Sequence, residues 1–143
     1  QSFGVEIGSL FGQPEERILS ELLDHIPEAT IRFLESFSDS VRFGDYFLVH
    51  AGVRPNVALD LQRAQDLHWI REPFLSSTRD YESLIVHGHS VSAEVEVRPN
   101  RIGIDTGAWK TGVLTALWID GDERGFLEAR GAALQVAEEH QLF

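Results

Sequence analysis

The sequence predicts an α+β fold in a single domain, with helices at both ends and a strand-rich middle. Apolar residues recur at helical spacing in residues 14–37 and again beyond 130. Between 41 and 129 the apolar runs are short, bounded by Gly, Pro and Asp, and in one place alternate strictly. Those runs succeed one another closely, as in a meander, so the sheet is expected to be mostly antiparallel or mixed, with flanking helices. The division expected is a helical lead-in over 1–40, a strand-rich segment over 41–129 and a terminal helix over 130–143.

"PEERILSELLDHI" (14–26) opens with Pro14 in a first-turn position and two glutamates at the positive end of the helix dipole. Its Ile18, Leu19, Leu22, Leu23 and Ile26 form one stripe, and Pro27 ends it. "EATIRFLESF" (28–37) reads as a second short helix buried through Ile31, Leu34 and Phe37. "VRFGDYFLVHAG" (41–52) reads as a hairpin, and "DLHWIREPFL" (66–75) as one or two helical turns ending near Pro73. "ESLIVHGH" (82–89) is a buried strand and "AEVEV" (93–97) a half-exposed one. "RIGIDTGA", "VLTALWID" and "RGFLEA" complete the strands, with "DGDE" (120–123) as a tight turn.

Bulk properties narrow the function. A net charge of -11 argues against nucleic acid and anionic membrane as partners, because both need clustered cations. No apolar stretch approaches the roughly 20 residues that span a bilayer. With no cysteine there are no disulfides or thiolate metal sites, leaving His, Asp, Glu and Asn as ligands, and the cytoplasm is the expected location.

Two apolar strands end alike, "FLVHAG" at His50 and "LIVHGH" at His87 and His89. A strand end is a rigid mount for a ligand, and small residues after it let an ion approach. Either these histidines bind metal, or they belong to polar loops that happen to contain histidine.

Taken in order, these segments resemble the calcineurin-like metallophosphoesterases, and within them the bacterial serine/threonine-type protein phosphatases. "FLVHAGVRP" (47–55) is similar to that family's fourth metal block and "VHGHS" (86–90) to its fifth, the Gly-His block. "PNRIGIDTGAWKTGVLTALWID" (99–120) is similar to its closing segment, and "DLHWIRE" (66–72) to the segment that places a phosphate-gripping arginine. Val91 stands where the wider superfamily often has another histidine, as in the protein-phosphatase branch. The resemblance covers residues 28–128 and implies the C-terminal half of an α/β/β/α sandwich.

By this resemblance His50 and His89 are ligands of one ion in a two-metal centre (Mn, Fe, Zn or Ni), and Arg71 binds phosphate through its planar fork. The alternative for Arg71 is an ion pair with Glu72 or Asp66. His87 either supports the ligands or packs in the core. Arg54 lines the cleft or caps a turn, Asp105 and Thr106 shape a turn by bonding backbone, and Trp109 faces the cleft or the core.

The resemblance also implies two ions about 3.5–4 Å apart and in-line attack on phosphorus. That chemistry needs Asp-x-His, Gly-Asp-x-x-Asp-Arg-Gly and Gly-Asn-His blocks, and none occurs here. "QSFGVE" at the start resembles the stretch just after the third block, and Gln1 rather than methionine stands first. The expectation is therefore a C-terminal half, inactive alone, of an enzyme that hydrolyses phosphate monoesters such as phosphoserine or phosphothreonine. Its exposed apolar face would call for the missing N-terminal half or self-association. The alternatives are a diadenosine-polyphosphate or other small-molecule phosphoesterase, and a non-enzymatic β-rich metal-binding or interaction module.

Overall fold

The computed structural model describes residues 12–131, so the expected terminal helix lies outside the described residues from 132 onward. The chain divides into two compact units, 1–38 and 39–143.

The first unit holds two helices, α1 (Glu15–His25) and α2 (Glu28–Glu35). Each is preceded by a proline with extended ψ, Pro14 and Pro27, which fixes φ near the helical value and needs no donated N–H at a helix start. Glutamates occupy both first turns. The expected burial of α2 is not observed: Leu34 is 57% and Phe37 59% exposed, and neither helix has a fully buried residue. An apolar stripe is buried only when another element covers it; here Phe33 and Phe37 meet edge-on at 4.8 Å.

The second unit is built on a five-stranded mixed sheet. The expected hairpin forms as β1 (Ser40–Phe43) and β2 (Tyr46–Val49), turning at Gly44 with φ of 55°. Residues 50–83 then form a long connection with a 3₁₀ turn at Leu59–Leu61 and helix α3 (Ala64–Trp69). They return the chain to β3 (Leu84–His87), parallel to β2. A short edge strand β4 (Glu96–Val97) precedes β5 (Arg101–Gly103), which is parallel to β3 and antiparallel to β4. The sheet order is β1-β2-β3-β5-β4. The fold is thus α+β with a mixed sheet, but its centre is parallel and not a meander. The long connection carries the chain back across the sheet, so β3 and β2 point the same way. Of the expected strand over 93–97, only its last two residues pair.

The core lies where that connection packs on one face of the sheet, around Phe47, Ala51, Leu67, Ile70, Phe74 and Ile85. Gly52 is required there by close approach: a Cβ would lie 2.2 Å from the Phe74 ring. After β5, a one-turn helix α4 (Ala108–Thr111) leads into a separate ribbon, β6 (Val113–Asp120) and β7 (Glu123–Arg130), joined at the expected turn. Arg130 is therefore strand, not the start of a helix. Burial alternates along β6, yet Leu114 in β6 and Leu127 in β7 are 62% and 61% exposed. No helix among the described residues is long and apolar enough to cross a membrane.

Candidate metal and phosphate site

The parallel strands β2, β3 and β5 all finish at one sheet edge, the side on which sheets with parallel strands usually bind ligands. His50 comes directly after β2, His87 ends β3 and Asp105 lies two residues beyond β5. The ladder runs past the strand ends: the Gly88 N–H donates to the His50 carbonyl at 2.8 Å, and the Ile104 N–H to the His87 carbonyl at 2.9 Å. This brings the His50 and His89 rings to 5.1 Å between centroids, tilted by 59°.

His89 has a positive φ of 62°, rare for a residue with a side chain. The Ser90 N–H donates back to the Gly88 carbonyl at 2.6 Å, so His89 is the central residue of a strained γ-turn. Its Nε2 is buried with no hydrogen-bond partner. Burial pushes the His89 imidazole below its ordinary value, and the Arg71 and His50 charges act in the same direction. The exposed Trp69 stands edge-on to this ring at 5.7 Å. A cavity of 470 Å³ opens beside the pair, lined by His50, His87, His89 and Asp105 together with Val86, Ile104 and Leu117.

Trp69 also lines an adjoining cleft of 360 Å³ with Arg54, Arg63, Asp66, Arg71 and Glu72. Here the alternative for Arg71 is not met. Asp66 is taken by Arg54, whose Nε donates at 2.8 Å and whose guanidinium holds the carboxyl below its usual range. No ion pair to Arg71 forms among the described residues, so its exposed fork faces solvent beside His89. Arg54 thus lines this cleft as expected, already ion-paired to Asp66, while its N–H and carbonyl bind the Gln62 amide at 2.7 and 3.0 Å.

The remaining expected residues divide. Asp105 accepts from the Gly107 N–H at 3.0 Å, and Thr106 donates to the Val113 carbonyl at 2.8 Å, so both shape the turn. Trp109 is 62% exposed and does not pack in the core. His87 is buried in the core: Phe74 meets its ring edge-on at 4.9 Å, and its Nε2 lies 3.1 Å from Arg101.

Arg101, only 1% exposed, is the residue that sequence reasoning misses. It pairs with Glu96 at 2.8 Å and reaches the Leu75 carbonyl at 3.2 Å. A lone charge opening the apolar run "RIGI", opposite an inward-facing strand, is the signal that could have found it.

Two imidazoles with an unpartnered buried nitrogen between neighbouring strand ends suit one borderline divalent cation. No group of three or more His, Cys, Asp or Glu that could hold a metal occurs among the described residues. No protein-family model matches the chain, and no curated protein matches it.

Proposed function

We propose that this chain supplies the C-terminal part of a two-metal phosphoesterase acting on phosphate monoesters, with phosphoserine or phosphothreonine as the substrate class. One observation carries the reading: His50 and His89, 39 positions apart in sequence, meet at adjacent strand ends with His89 Nε2 buried and unpartnered. In this reading both imidazoles hold one divalent cation (Mn, Fe, Zn or Ni), and a second ion is held by residues this chain lacks. The metal pair would supply Lewis-acid stabilisation of charge on the phosphoryl group. Arg71 binds two phosphate oxygens through its guanidinium plane, and Trp69 shields one side of His89 from water. The reaction breaks the ester P–O bond, water supplies the new oxygen on phosphorus, and the alcohol leaves with a proton.

A non-enzymatic metal-binding module is the second reading, favoured by the lack of a third donor among the described residues. The two part company on phosphate. Calorimetry with Mn²⁺ should show one equivalent bound, lost in His50→Ala or His89→Ala. Inorganic phosphate should then bind only with Mn²⁺ present and be lost in Arg71→Ala, while p-nitrophenyl phosphate turnover by the chain alone stays near background. Phosphate binding indifferent to Arg71 supports the module; brisk turnover by this chain alone contradicts its being half of a site.

A further inference from the structure

A buried guanidinium is expensive unless each donor finds a partner, and replacing such networks by apolar residues is often harmless to stability. Arg101 nevertheless lies 1% exposed between β3 and the edge strand. Glu96 takes one donor at 2.8 Å, the Leu75 carbonyl another, and the Phe74 ring covers the guanidinium at 5.8 Å. Its remaining contact is His87 Nε2 at 3.1 Å, while its own Nε is buried without a partner.

That contact fixes a tautomer. Arginine has no acceptor, so it must donate, His87 Nε2 must accept, and the imidazole proton sits on Nδ1. Nδ1 lies 3.1 Å from the Gly88 carbonyl and donates to it. The same carbonyl receives the Ser90 N–H that closes the γ-turn around His89, and the same residue's N–H holds the His50 carbonyl. Gly88 is thus the junction between the two imidazoles. Gly103, paired across β3 and β5 with His87, permits the arrangement, since a Cβ there would lie 3.3 Å from the His87 ring. A strained backbone persists only when its surroundings over-determine it, and here they do so from both sides.

We infer that Glu96, Arg101 and His87 form a positioning chain which, through the Gly88 carbonyl, holds the His89 γ-turn and sets the spacing of the His50–His89 pair. The role assigned to that pair rests on the metal reading above; the positioning does not.

The test compares His87→Leu, of similar volume but without donor or acceptor, with His87→Asn, whose amide nitrogen reproduces the Nδ1–H. Nuclear Overhauser contacts between the His50 and His89 rings should be present in the wild-type chain, vanish in His87→Leu and return in His87→Asn, with contacts among Phe47, Leu67 and Ile85 retained throughout. Co²⁺ affinity should fall about 10–100-fold in His87→Leu. Wild-type ring contacts surviving in His87→Leu overturn the proposal. So does loss in both variants with the core intact, which removes the route through the Gly88 carbonyl. Should His87→Leu not fold, the ¹⁵N spectrum of the wild type decides: an Nε2–H tautomer at His87 overturns the proposal and an Nδ1–H tautomer supports it. A wild-type chain that keeps its ring contacts but binds no Co²⁺ sinks the metal reading and leaves the positioning chain standing.

Discussion

His89 shows how much of the site resides in single residues. Its ring is half-buried and neutral by preference, and His87 is held below its ordinary value by burial, with Arg101 adding to the effect. In an unfolded chain both would take up a proton at about pH 6.5. Because the folded rings bind protons less readily, the unfolded state gains protons first as pH falls, so stability is complete above that value and declines below it. Thermal melts should therefore show Tm dropping between pH 7.5 and 5.5, before the paired carboxylates Asp66 and Glu96 begin to titrate. A flat Tm over that range contradicts neutral burial of the two rings. Arg71 makes a second residue-scale case. Replacing it with lysine keeps the charge but loses the planar two-pronged geometry, so phosphate affinity should drop by about tenfold or more while Mn²⁺ affinity holds. Equal phosphate binding by Arg71→Lys would reduce Arg71 to a general positive charge.

At the scale of elements, the site depends on the connection between β2 and β3 staying packed. Phe74 is fully buried, touches the His87 and Tyr81 rings and lies against Gly52. Phe74→Ala should cost about 3–5 kcal/mol in denaturant unfolding, and Gly52→Ala should also destabilise because its methyl has no room. A change below about 1 kcal/mol in Phe74→Ala would mean that this core is not formed. The hairpin, the apolar run before His87 and the turn at 120–123 are legible in the sequence because each signal is local: alternation, glycine and a short apolar stretch. Strand direction is not, because it depends on where residues 50–83 pack, and that segment carries only six helical residues in α3. Arg101 escapes for the opposite reason. One charge in a strand reads as solvent-facing until the partners from Leu75, His87 and Glu96 are assembled around it. The stripe of α2 invites too much, since periodicity identifies an apolar face but not what covers it.

Across the whole molecule, the second unit carries the His50–His89 pair and a ribbon whose second strand is largely exposed. The outer edge of β7 pairs with nothing among the described residues, and Arg124, Phe126, Glu128 and Arg130 share one face of it. A two-fold antiparallel pairing centred on Phe126 would set Arg124 against Glu128 of a second copy, twice over. Sedimentation at rising concentration should therefore reveal a dimer that Phe126→Glu abolishes; a strict monomer at every concentration removes that pairing. The site itself is best judged by seeing the ion. Crystals of the 143-residue chain grown with Mn²⁺ should give an anomalous peak within bonding distance of one ring nitrogen from each of His50 and His89. A map with no peak there, or with Mn²⁺ held only by surface carboxylates, would contradict the shared-cation reading and the phosphatase proposal built on it.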